Sequence, residues 1–145
     1  MTVINMPQPS WQHLAHDADM GVRGMGATAA QAFEQAALAM TAIVSDVQNI
    51  ADRDAVTIDC HAPDLELLLV DWLNALIYEM ATRKMLFSHF EVTIEDTHLQ
   101  GTAWGEPIDR VKHQPSVEIK GATYTDLKVY QRQDGVWTAQ CVVDV

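Results

Sequence analysis

The chain has 145 residues, 48% of them apolar and 20% charged, which fits one domain with its own core and excludes a disordered tail. Twenty acidic residues against nine basic ones give a formal net charge of -11. That argues against direct, unaided nucleic-acid binding, because neutralising phosphates takes clustered Lys and Arg; an acidic surface could suit a basic protein partner or a divalent cation.

Residues 1–10, with Pro7 and Pro9, read as a loose N-terminal lead, and residues 11–145 as a single domain. The lead has no basic start followed by an apolar core, so no signal peptide is expected. Short strands are expected around residues 11–15 and 20–24. The run Thr28-Ala29-Ala30-Gln31 has the form of a capping box, and Phe33, Ala37, Met40, Val44 and Val47 follow at helical spacing. A further short strand is expected around residues 55–60. A second helix should begin at Pro63, with Asp64 and Glu66 favourable to the dipole at its start and Arg83 and Lys84 at its end. Leu65, Leu69, Trp72, Leu76 and Met80 form its stripe, and Leu68, Leu73 and Ile77 widen it, so it should be the more buried helix. The longest apolar stretch, residues 65–78, is interrupted by Glu66, Asp71 and Asn74. It is too short and too polar to span a bilayer, so a cytoplasmic protein without membrane contact is expected.

Beyond the second helix the pattern is that of strands. Phe90, Val92 and Ile94 alternate with Glu91, Thr93 and Glu95, and Val117 and Ile119 alternate with Glu118 and Lys120. Residues 127–132 and 136–145 flank Asp134-Gly135, a strong hairpin signal. In the last strand Trp137, Ala139, Cys141 and Val143 share one face, and Asp144 falls on the other with Gln140 and Val142. The fold class is therefore α+β: two helices packed on a largely antiparallel sheet in one compact domain.

Several groups could carry chemistry. His13, His16, Asp17 and Asp19 combine imidazoles and carboxylates, and His13-x-x-His16 could seed a zinc site; polar residues before a glycine also simply make a turn. Asp144 with the main-chain carboxylate of Val145 sets two acidic groups side by side, as Ca²⁺ or Mg²⁺ sites require, although a polar strand end has the same appearance. Spacing alone does not bring residue 144 next to residue 19. Trp104-Gly105-Glu106-Pro107-Ile108-Asp109, followed by His113, reads as a loop between strands. Lys120, on the polar side of its strand, is either a solvated charge or one presented to a partner. Cys60 and Cys141 are isolated in sequence and expected to be buried free thiols. A phosphate-binding Walker loop, a G-x-S-x-G elbow and a nucleophile beside a base are all missing from the sequence, so independent enzymatic activity is not expected.

Five landmarks, in order, resemble the archease family: His16-Asp17-Ala18-Asp19-Met20-Gly21, Ala32-Phe33-Glu34-Gln35-Ala36-Ala37, Gly101-Thr102-Ala103-Trp104-Gly105-Glu106-Pro107, Lys120-Gly121-Ala122-Thr123-Tyr124 and Val143-Asp144-Val145. They span essentially the whole chain after residue 10. The resemblance implies a compact α+β fold and a role as protein cofactor of the GTP-dependent RNA ligase of tRNA splicing and RNA repair. Such a protein promotes guanylylation and multiple turnover of the ligase without joining RNA itself, and meets RNA only through the ligase. It further implies that Asp19 binds a divalent metal, most simply Ca²⁺ with Mg²⁺ or Zn²⁺ as alternatives, and that Asp144 and Val145 complete the site. By the same resemblance Lys120, and with it His16, are candidates for contact with the ligase or nucleotide. Two positions depart from the family pattern: Asp17 stands where threonine is usual, and Thr125 where histidine is common. Two other readings stay open, a chaperone-like assembly protein that needs no metal and a metal-dependent phosphohydrolase using His16, Asp19 and Asp144.

Overall fold

A computed structural model describes residues 7–145. Most of the lead expected over residues 1–10 therefore lies outside the described residues, and Ser10 already belongs to the first strand. The first helix, α1 (Ala29–Val44), starts where the capping sequence places it. Thr28 Oγ1 accepts from the Gln31 N–H at 3.1 Å. Gln31 Oε1 reaches back in return, but to the N–H of Ala27 at 2.8 Å, one residue before the cap. The helix stops at Val44; Val47, expected on its stripe, lies instead in a separate 3₁₀ turn capped by Asp46. The second helix, α2 (Leu65–Arg83), begins two residues after Pro63, because Asp64 supplies a capping carboxylate that accepts from the Leu67 N–H at 2.8 Å. Its last turn closes on Lys84 in the left-handed conformation, φ 52°.

Every strand pairing is antiparallel. One sheet runs β1 (Ser10–His16), β2 (Asp19–Gly26), β8 (Trp137–Asp144), with β6 (Gly121–Ala122) and β7 (Lys128–Gln131) taking successive stretches of the far edge of β8. The second sheet has the order β3 (Asp54–His61), β5 (His98–Pro107), β4 (Met85–Glu95). Helix α1 packs against β2 and β8 of the first sheet and β4 of the second, while α2 covers β3 and β6. Phe33, Met40, Leu68, Leu69, Trp72, Leu73, Leu76, Phe87 and Leu99 are fully buried in one continuous core. At roughly 1.5–3 kcal/mol per large apolar side chain, this core is the main source of stability. Trp72 also ties the helices together, donating Nε1–H to the Phe33 carbonyl at 3.1 Å. Both thiols are free and buried, and burial pushes Cys60 up to about 11 and Cys141 up to about 12.

Three expectations change. Val117 to Lys120 form no strand: Ser116, just before them, is tied to the end of α1, its N–H donating to the Val44 carbonyl at 2.9 Å and its Oγ to the Ile43 carbonyl at 2.9 Å, and the segment reaches β8 through the Lys120 N–H, which donates to the Asp144 carbonyl. Trp104 to Pro107 are strand, not loop. There β4 bulges between Phe87 and His89, and Gly105 lies so close that a Cβ would sit 1.8 Å from the Leu86 carbonyl oxygen. A short third helix, α3 (Arg110–His113), follows, capped by Asp109. The Asp134-Gly135 hairpin forms, but as a three-residue loop with Gly135 at φ 91°, closed by bonds between Arg132 and Val136 and between Gly135 and Arg132.

Candidate functional site

The register of the first sheet brings the β1–β2 turn against the C-terminal end of β8. β1 and β2 are joined by the two-residue turn Asp17-Ala18, with His16 paired to Asp19. Asp17 sits at φ 49°, where a short polar side chain is tolerated far better than a β-branched one. That gives a local physical reason for aspartate rather than threonine there. β2 pairs with β8 through Met20 and Val143 at its end, so one further step sets Asp19 across from Asp144. Asp144 is in turn paired with Gly121, and its carbonyl accepts from the Lys120 N–H at 2.7 Å.

Paired residues point to the same face of a sheet. Val143 is fully buried and Met20 packs on the core, so the neighbouring row His16, Asp19, Asp144 faces away from it. Asp144 and Lys120 are exposed, and Asp19, His16 and Val145 partly so. Among the described residues neither the Asp19 nor the Asp144 carboxylate meets a basic side chain within 4 Å. Two carboxylates in line make an oxygen-only donor pair suited to a hard cation.

His16 has its own partner, which sequence reasoning missed. Its Nε2 lies 3.7 Å from Asp126 Oδ2. Asp126, at φ 53°, is held by its carbonyl, which accepts from Gln140 Nε2 at 3.1 Å, and Gln140 Oε1 accepts from Arg23 Nε at 2.9 Å. The sequence offered no more than a turn-forming Asp at this position. His13 is not part of the cluster: its ring Nε2 bonds to the Ala39 carbonyl at 2.7 Å, fastening β1 to α1. A paired zinc seed from His13 and His16 is thus replaced by two separate structural contacts.

The third sequence group also comes together, as a buried lock. Glu106 Oε2 accepts from the Ala51 N–H, Lys112 Nζ and His113 Nε2 at 2.7, 2.7 and 2.9 Å. These bonds, the one from Ala51 foremost, hold its carboxyl down to about 2. The Asp109 N–H donates to His113 Nδ1 at 2.9 Å, so the ring keeps its proton on Nε2 and donates it to Glu106. With both side chains inaccessible, the group joins β5 and α3 to the segment after α1 and offers nothing to a substrate.

Fold and site together define a small two-sheet α+β domain in which the β1–β2 turn meets the end of β8 at an exposed, carboxylate-rich sheet corner. Comparison with known proteins narrows this class. The model of the Archease protein family matches residues 11–145, and this chain belongs to that family. It is 39% identical to the protein archease of Pyrococcus furiosus over 139 residues, covering 93% of this chain and 98% of that one. It is 36% identical to the protein archease of Methanosarcina barkeri over 140 residues, covering 93% and 95%. The solution structure of Methanobacterium thermoautotrophicum protein 1598 superposes with a TM-score of 0.82 at 30% identity, over 94% of this chain and 99% of that one. Among the described residues no helix is long and apolar enough to cross a membrane.

Proposed function

We propose that this chain is a metal-binding activator of a GTP-dependent RNA ligase of tRNA splicing or RNA repair, acting in the cytoplasm as a protein cofactor and not as an enzyme. The observation that carries the reading is the exposed row His16, Asp19, Asp144, with Lys120 bonded to Asp144, in a chain of the archease family. Asp19, Asp144 and the terminal carboxylate of Val145 would hold the divalent cation, Ca²⁺ being favoured by an all-oxygen set, with Mg²⁺ and, less well, Zn²⁺ as alternatives. When bound, it supplies concentrated positive charge of the kind that phosphoryl transfer requires.

The chain's own residues do the rest. The sheet fixes Asp19 and Asp144 on neighbouring central strands, so the donors are held in place before any partner arrives. Lys120 and His16 flank them as the candidates for contact with a ligase or its nucleotide. The surplus of 11 negative charges complements a ligase whose RNA groove is basic, and RNA is met only through that ligase. Single-turnover guanylylation of a cognate ligase, with and without this protein, tests the reading. Acceleration by the wild type and its loss in Asp19→Ala, Asp144→Ala is expected; no acceleration, or full acceleration by the double variant, overturns it.

A metal-free assembly protein is the second reading, favoured by an apolar groove of about 440 Å³ between the end of α2 and residues 115–119, lined by Ile77, Met80, Ile108 and Val117. Full activity in the Asp19→Ala, Asp144→Ala variant, lost on filling the groove with Val117→Trp, is its signature.

A further inference from the structure

On the second sheet, away from the carboxylate corner, Asp59 and His61 of β3 and His98 of β5 converge on one exposed face. One ligand atom from each lies within 4.8 Å of the others. We propose that these three side chains form a second metal site, for a borderline divalent cation of the zinc class, distinct in place and in ligand chemistry from the carboxylates of Asp19 and Asp144.

The backbone register builds it. His61 and His98 are direct cross-strand partners, and the Ala62 N–H donates to the Thr97 carbonyl at 3.3 Å. Since hydrogen-bonded and non-bonded pairs alternate along an antiparallel ladder, His61 and His98 occupy a non-bonded pair, the kind whose side chains approach most closely. Their rings stack with centroids 3.9 Å apart and planes 10° from parallel. Asp59, two residues before His61, shares that face. Its two carboxylate oxygens each meet one imidazole: Oδ2 lies 2.9 Å from His98 Nε2, and Oδ1 lies 3.6 Å from His61 Nε2.

Two stacked imidazoles aimed at one carboxylate are poorly explained as ion pairing, since two imidazolium rings this close would repel each other. Neutral imidazoles and a carboxylate are instead the donors zinc prefers, three protein ligands leaving a fourth position for water. All three side chains are at least a third exposed, so a cation can enter without unfolding anything. Supporting groups lie nearby: Gln100 is the cross-strand partner of Asp59, and Glu95, across from His98 on β4, adds negative charge to the same face.

The test is a Co²⁺ titration of the full chain at pH 7.5, followed by its visible absorption and by competition with Zn²⁺. One equivalent should give the intense bands of a low-coordinate N/O site, be displaced by Zn²⁺ and resist a large excess of Ca²⁺. Affinity should fall at least tenfold in His61→Ala, His98→Ala or Asp59→Asn and stay unchanged in Asp19→Asn, Asp144→Asn. Ring resonances of His61 and His98, and not of His16, should shift when Zn²⁺ is added to the wild type, a readout that needs no variant. Failure to bind Co²⁺ or Zn²⁺ below millimolar concentration, bands unchanged in the histidine variants, or bands lost with Asp19 and Asp144 would overturn the proposal.

Discussion

Asp19 and Asp144 face each other across the end of β2 and β8, one residue beyond the Met20–Val143 pair that closes that ladder. Like charges directly opposite in an antiparallel pair are destabilising, by roughly 0.2–1 kcal/mol. Without metal, Asp144→Asn should therefore raise stability by about that amount in urea denaturation. In saturating Ca²⁺ the order should reverse, because the wild type gains binding energy that the variant lacks. A variant no more stable than the wild type in chelator would show that the two carboxylates do not interact.

Val145 makes a second demand on the same corner. If its main-chain carboxylate is a ligand, extending the chain by two glycines removes that charge and leaves the two aspartates unaltered. Calorimetry should then show Ca²⁺ affinity reduced by about tenfold or more, a loss near 1.4 kcal/mol. Unchanged affinity would leave Asp19 and Asp144 as the whole donor set.

The Glu106 lock predicts acid sensitivity. Its carboxyl is held down to about 2 in the folded chain against 4.5 ordinarily. As pH falls through 4.5 the unfolded state takes up the proton first, so stability present above that pH is lost progressively until pH reaches about 2. Glu106→Gln should lower Tm at pH 7, with the gap to the wild type closing toward pH 2. Asp59, lowered chiefly by its hydrogen bond to His98, contributes a smaller acid limb that this variant keeps.

What was legible in the sequence follows from how local each signal is. The α1 cap depends on residues three apart, and Thr28 and Gln31 declare it. The last hairpin is declared by Asp134-Gly135, though not its three-residue loop. Alternation at Val117 to Lys120 misled because an extended segment can alternate without joining a ladder, the preceding Ser116 being bonded to the end of α1. Gly105 and Pro107 signalled a turn where glycine in fact answers the close approach of Leu86. The corner of Asp19 and Asp144 could be named through family likeness but not through spacing. Asp126 and the pairing of His61 with His98 depend on inter-strand register, which no local pattern encodes.

Trp72 couples the two helices, and its loss should be felt globally. Trp72→Phe removes the donor to the Phe33 carbonyl, leaving a buried acceptor unsatisfied, and opens space beside Phe90, against which the indole packs edge-on at 6.0 Å. The unsatisfied carbonyl costs about 1–3 kcal/mol, and the missing ring atoms add to it. Urea denaturation should show a lower midpoint at an unchanged slope, while Ca²⁺ affinity of the folded variant stays close to that of the wild type.

Glu34 offers the opposite pH dependence. β4 has β5 on one side only, and on its open side the Val92 N–H donates to Glu34 Oε2 from α1 at 2.7 Å. Burial raises the carboxyl above 4.5, outweighing that bond, and nearby Glu91 raises it further. A raised carboxyl is a charge the folded state holds at a cost, so stability should increase as pH falls from the raised value toward 4.5. Glu34→Gln keeps an oxygen acceptor for Val92 and removes the charge. It should stabilise the chain at pH 7–8, with the advantage vanishing below pH 4.5. Destabilisation at pH 7 would mean that the charge-assisted bond to Val92 outweighs the cost of burying the carboxylate, and that Glu34 secures the edge of β4 by its charge rather than by its shape.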